Sequence, residues 1–113
     1  MTVDTHLEET AKILKLLGDK TRLSMLALLS MHDCCVCEFV AIFNMSQPAV
    51  SQHLKKLKDA CLVSEQRKGQ WMIYSLNKDS KHFPLILDVL NHIPNQNEKF
   101  VLLEQQGLRV ICE

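Results

Sequence analysis

Residues 45–62, MSQPAVSQHLKKLKDACL, followed by KGQWMIYSL at 68–76, constrain this chain more than any other stretch. Ser46 is a capping residue, and Pro48 falls in the first turn of the helix it would open, where a missing N–H costs nothing. Val50, Leu54 and Leu57 then recur at i, i+4 and i+7 as one apolar stripe. The other faces carry Gln47, Ser51, Gln52 and His53 toward the leading end, with Lys55, Lys56 and Lys58 behind them. Gln, Ser and His can read base edges in a major groove, whereas Lys mainly neutralises phosphate. An ordinary surface helix with a solvated charged face has the same pattern in isolation, so the neighbours decide. Val36–Phe43 reads as a short helix with Phe39, Val40 and Phe43 inward, and Asn44-Met45-Ser46 is the tight break that a helix-turn-helix needs. After the second helix come two β-rich runs, 63–67 and Trp71–Leu76, with Gly69 between them to supply a positive φ. Arg67 and Lys68 fall at the tip of that ribbon, within reach of backbone phosphate. The sum is a winged helix-turn-helix, with the bihelical unit at 36–60 and the wing at 63–76.

The remaining segments are helical. Residues 7–17 carry apolar side chains at 7, 11 and 14 and also at 13, 16 and 17, two faces on a short helix that Gly18 ends. Residues 20–31 are apolar nearly all round and belong at the centre of a core. Pro84 opens a helix to about residue 92, stopped by Pro94, and 97–107 is a further amphipathic helix. Residues 108–113 are a short tail carrying Cys112. The expected fold is mainly α, of α+β type, with about six helices and one two-stranded β-hairpin wing in a single domain over 1–113. Terminal helices with two apolar faces predict a homodimer through residues 7–17 and 83–107. Twofold symmetry would then set the two reading helices roughly 34 Å apart over an inverted repeat in double-stranded operator DNA.

A length of 113 residues suits one domain with a modest core, and the formal net charge of zero excludes a broadly basic nucleic-acid coat. The charge is unevenly spread, however. Between Ser46 and Lys81 seven basic side chains (Lys55, Lys56, Lys58, Arg67, Lys68, Lys78, Lys81) face three acidic ones (Asp59, Glu65, Asp79). One basic stretch in a neutral chain suits reversible DNA binding. The start of the chain is polar and acidic rather than a signal peptide, and the apolar run at 23–31 is too short to span a bilayer. The expectation is a cytoplasmic protein without membrane contact, its five cysteines reduced.

LGDKTRLSMLALL, CVCEF, SQPAVSQHLKKLKDACLV and the wing ending WMIYSL, in that order, resemble the ArsR/SmtB family of metal-responsive repressors over about residues 16–76. The resemblance implies a dimeric winged helix-turn-helix that blocks a promoter until an inducer binds. Cys35-Val36-Cys37-Glu38 at the start of the third helix resembles the arsenite and soft-metal class. Arsenite members often add a cysteine three positions later, where this chain has Val40.

Thiolates select soft acceptors such as As(III), Sb(III), Cd(II), Pb(II), Zn(II) or Cu(I). On a regular helix Cys35 and Cys37 would stand about 200° apart and could not grip one ion together. Two solutions remain open. Cys34 and Cys37, three apart, chelate on a formed helix, or Cys35 and Cys37 chelate from an unwound first turn, which would disturb the reading helix. Cys34 or Cys112 is the third ligand, the latter by crossing the dimer, whereas Cys61 is read as a small core residue on the stripe of Leu54 and Leu57. A second site on Asp79, His82 and His92 has degraded spacing, and surface polarity is the plainer reading. The rival functions are a redox or persulfide switch using, for instance, Cys37 and Cys112, a dithiol oxidoreductase, and a zinc module. The oxidoreductase lacks its βαβ context and the zinc module lacks four closed ligands. No nucleophile-base-orienter set is present, so the chain reads as a regulator and not as an enzyme.

Overall fold

The computed structural model describes residues 3–107. The chain forms α1 (Val3–Leu17), α2 (Lys20–Leu29), β1 (Cys34–Cys35), α3 (Val36–Phe43), α4 (Gln47–Asp59), β2 (Val63–Lys68), β3 (Trp71–Leu76), α5 (Phe83–Leu90) and α6 (Asn97–Gln105). The winged helix-turn-helix expected from the pattern is present, with six helices among the described residues. The sheet differs from expectation: it has three antiparallel strands in the order β1-β3-β2. Cys34 and Cys35 pair with Tyr74 and Ile73. A two-residue strand carries no readable period, and it exists only because β3 offers it an open edge.

Local chemistry sets the boundaries. Asp19 caps α2 by accepting from Arg22 N–H at 3.0 Å. Met25 to Leu29 are buried without a break, which puts this helix at the centre of the core. Asn44, in the left-handed region at φ 51°, ends α3, and Ser46 opens α4 by accepting from Ala49 N–H at 3.3 Å. The turn is short because an αL residue and an N-cap can follow one another directly. Val50, Leu54 and Leu57 are fully buried beneath α4.

The end of α4 corrects one expectation. Cys61 is exposed, not in the core, and stands at φ 62°. Leu62 N–H reaches Leu57 C=O at 3.0 Å and Cys61 N–H reaches Lys58 C=O at 2.8 Å, which is a Schellman ending. The helical stripe stops one turn earlier than its extrapolation. It is Leu62, past the left-handed residue, that packs back beside Leu57 in the core.

In the wing, Lys68 pairs with Trp71, so β2 is one residue longer than expected and the turn is Gly69-Gln70. Gly69 at φ 60° supplies the positive φ of a II′-type connection, whose twist matches that of the strands. The helix α6 closes the back of the domain. Phe100 and Leu103 are buried, and Lys99 Nζ donates to Ser24 Oγ at 2.9 Å and lies 5.8 Å from the Phe43 ring centroid. Burial, reinforced by the nearby Lys20 charge, pushes the Lys99 pKa down. Ile13 and Leu17 face the core from α1, while Leu7 and Leu14 on its other side, with Leu87 on α5, are exposed.

Candidate nucleic-acid interface and thiol site

The leading half of α4 and the wing turn outward together. Gln47 and Gln52 are exposed, and Ser51 and His53 are half-buried on the flanks of the helix. Lys55 and Lys56 are exposed, as is Arg67 on the wing, while Lys68 is half-buried. Lys55 lies 2.8 Å from Asp59, and that pair raises the Lys55 pKa. At this exposure such a pair holds little energy, so Lys55 can leave it for a phosphate.

The wing is tied to the reading helix by a polar bridge. Lys58, in the last turn of α4, pairs with Glu65 of β2, and Tyr74 Oη of β3 donates to the same carboxylate at 2.8 Å. The Lys58 ammonium, followed by the Tyr74 hydroxyl, holds the Glu65 carboxyl below its ordinary range. Burial, with the Glu65 carboxylate beside it, pushes Tyr74 up to about 12.

Arg22, a residue to which the sequence pattern gives no role in DNA contact, lies beside α4. Its Nε donates to Leu16 C=O at 2.8 Å, its Nη1 lies 3.8 Å from Asp19 Oδ2, and Nη1 is 3.3 Å from His53 Nδ1. The Arg22 N–H, despite opposing desolvation, lowers the Asp19 pKa, aided by the guanidinium charge. One signal was available in the sequence. A basic residue in the first turn of a helix opposes its dipole, which marks Arg22 as serving a contact elsewhere.

The thiols are arranged differently from either helical solution. Cys35 is not inside α3 but is its N-cap, in extended conformation at φ −93°, ψ 164°. Its side chain therefore escapes the 200° separation, and the Cys35 and Cys37 sulfurs are joined as a disulfide across Cα atoms 5.5 Å apart. The first turn does not have to unwind for these two to meet. Cys34 is fully buried in the core cluster, its Sγ 3.4 Å from His32 C=O, and strand alternation turns it to the face opposite Cys35. The structure brings Cys35 and Cys37 together and leaves Cys34 apart, while Cys112 lies outside the described residues. The acid that follows the two cysteines acts locally. Buried Glu38 accepts from Cys35 N–H at 3.0 Å, reaching back from α3 to its N-cap. Asp79, His82 and His92 do not converge. Among the described residues no three His, Cys, Asp or Glu side chains are grouped to hold a metal ion.

Cys35 and Cys37 open onto a cleft of about 420 Å³ that Val40, Gln47, Arg67 and Trp71 also line. Thiol pair, first residue of the reading helix and wing tip share one cavity.

The sequence profile described as "Bacterial regulatory protein, arsR family" matches residues 19–65. The arsenical resistance operon repressor of Staphylococcus xylosus is 36% identical over 100 residues, covering 88% of this chain and 86% of that one. The chain belongs to the ArsR family. Two solved structures agree in fold. Reduced HlyU from Vibrio cholerae superposes with a TM-score of 0.68 at 26% identity, over 78% of this chain and 90% of that one. The homodimeric winged helix-turn-helix DNA-binding domain of Mb0332 from Mycobacterium bovis, described as a possible ArsR-family regulator, gives 0.64 at 26% identity, over 80% and 87%. This ArsR-family chain is a transcriptional repressor by descent, and its relatives are regulators, not enzymes. Among the described residues no helix is long and apolar enough to cross a membrane.

Proposed function

We propose that this repressor leaves its operator when a thiophilic inducer, trivalent arsenic above all, is gripped by Cys35 and Cys37. The observation that carries the reading is the shared cleft, in which the thiol pair faces Gln47, Arg67 and Trp71. A ligand can shift an equilibrium only by its differential affinity for the two states. An ion seated between Cys35 and Cys37 stands where Arg67 and Gln47 must align on DNA, so DNA-bound and inducer-bound arrangements compete for the same walls. The two thiolates fit Sb(III), Cd(II), Pb(II) or Zn(II) by softness as well. The third position falls to Cys112 or to a solvent oxygen, since Cys34 faces the core.

Gln47, Ser51, Gln52 and His53 serve as base-reading side chains in this proposal, with Lys55, Lys56, Arg67 and Lys68 on phosphate. A homodimer through the exposed apolar residues of α1 and α5 would present two such faces to an inverted repeat. The homodimeric Mycobacterium bovis relative supports that assembly. Contact with operator DNA suits the cytoplasm.

The bonded pair also favours a second reading, a redox switch. A hydroperoxide would convert one thiol to a sulfenic acid with loss of water or alcohol, and the second thiol would displace water to close the disulfide. One titration tests both. As(III), Cd(II), Zn(II) and hydrogen peroxide are added separately to the reduced protein–operator complex. Release by As(III) at stoichiometric levels supports the first reading, and release by peroxide alone replaces it with the second. Indifference to all four refutes both.

A further inference from the structure

We propose that Arg22 is a positioning residue that fixes the imidazole of His53 as a hydrogen-bond donor toward DNA. The inference rests on α4 being the reading helix. Three contacts anchor Arg22: its N–H to Asp19 Oδ1 at 3.0 Å, its Nε to Leu16 C=O at 2.8 Å, and its Nη1 near Asp19 Oδ2 at 3.8 Å. Its side chain is only 13% exposed, so the guanidinium is a fixed wall and not a mobile surface cation. The 3.3 Å contact from Nη1 to His53 Nδ1 follows from that placement.

A guanidinium has five N–H donors and no acceptor, so Nδ1 can only accept. An accepting Nδ1 has no proton, and the ring proton sits on Nε2. His53, on the flank of α4 beside buried Leu54, then offers the outside one polar atom, a donor. Such a ring pairs with phosphate oxygen, with guanine O6 or N7, with adenine N7, or with thymine O4. It rejects the amino groups of cytosine and adenine. Without Arg22 the ring could adopt either tautomer and accept as readily as donate. Arg22 thereby narrows what His53 recognises without touching DNA itself.

The test needs the full chain labelled with ¹⁵N-histidine and read by two-bond ¹⁵N–¹H correlation at neutral pH, before any DNA is added. The wild type is expected to show His53 as the Nε2–H tautomer, Arg22→Ala a mixture, and Arg22→Lys, which still only donates, a return toward the wild-type pattern. An Nδ1–H or doubly protonated His53 in the wild type overturns the proposal. Because this arm uses no DNA, it stands even if the protein fails to bind an operator, a failure that would instead defeat the reading of α4.

With operator present, Arg22→Ala and His53→Ala should each weaken binding roughly five- to thirtyfold, the range for loss of one positioned hydrogen bond. The double variant should lose no more than the worse single one. Losses that multiply would assign Arg22 only to bracing α1 against α2 and overturn the proposal. Methylphosphonate substitution and base substitution along the operator then separate the two kinds of acceptor. Sensitivity of the wild type, absent from His53→Ala, to either one supports a donor at His53. Sensitivity to neither overturns it.

Discussion

Cys35→Ser separates sensing from folding more sharply than any other single change. In the reduced protein, where no Cys35–Cys37 bond is lost, swapping the thiol of Cys35, a residue 1% exposed, for a hydroxyl carries a burial cost of about 1 kcal/mol or more if the hydroxyl finds no partner. It does have one within reach. Residue 35 is the N-cap of α3, where Ser is among the preferred residues and accepts from the N–H two or three positions on. Glu38 accepts from the N–H of residue 35 at 3.0 Å and the residue 35 side chain faces the Glu38 N–H in return, so a serine hydroxyl, a stronger acceptor than sulfur, strengthens a capping box worth about 1 kcal/mol. The two effects offset each other, and stability should remain within about 1 kcal/mol of wild type. Urea unfolding checks that figure, and fluorescence anisotropy on a labelled operator checks that DNA affinity stays within about threefold. Arsenite should no longer release the variant. A folded, DNA-binding Cys35→Ser protein that arsenite still releases in full would refute the assignment of the inducer to this pair.

Four further outcomes are expected. Cys61→Gly should stabilise the protein by about 1 kcal/mol in thermal or urea unfolding, because the exposed residue at φ 62° meets a steric cost that glycine lacks. Gln52→Ala should cost on the order of 1–3 kcal/mol and relax discrimination at one base pair per half-site, while Lys56→Ala weakens all sequences alike and shallows the salt dependence. The Glu65 carboxyl lies below its ordinary value of 4.5, so its contribution is present above that pH and lost as pH falls through the folded value; Tyr74, raised from 10.0 to about 12, contributes fully below 10 and loses this as pH rises toward 12. Urea midpoints across pH should show both losses, and Tyr74→Phe should remove the alkaline one. Leu14→Glu combined with Leu87→Glu should leave a folded species of half the wild-type mass in sedimentation and weaken operator binding, unless the dimer lies elsewhere.

The elements whose causes are local were legible in the chain. Ser46, Pro48 and the stripe of Val50, Leu54 and Leu57 announce α4 without help from the rest of the molecule, and Gly69 announces the hairpin. What failed to show needed a partner distant in sequence. Strand β1 is created by Tyr74 and Ile73, and Arg22 acquires its meaning from His53 31 positions away. A helical period extended past the end of α4 puts Cys61 in the core, whereas one left-handed residue there reverses the direction of the side chain. The cysteine geometry turns on one residue: Cys35 belongs to the cap and not to the first turn, so the separation on a regular helix does not apply to it. The basic tip of the wing is legible in the sequence, but its place in one cleft with the thiols emerges only in three dimensions.

The strand order β1-β3-β2 leaves β2 with an unpaired outer side, a row of backbone donors and acceptors that another chain could extend into a longer sheet. Its sequence, VSEQRK, answers that hazard. After Val63 every side chain is polar or charged, and Arg67 and Lys68 stand where an intruding strand would have to align. Their like charges would keep the edges of neighbouring molecules from pairing when the protein is concentrated. The residues suited to gripping phosphate are therefore also those that discourage aggregation, and neutralising them should lower solubility as well as affinity.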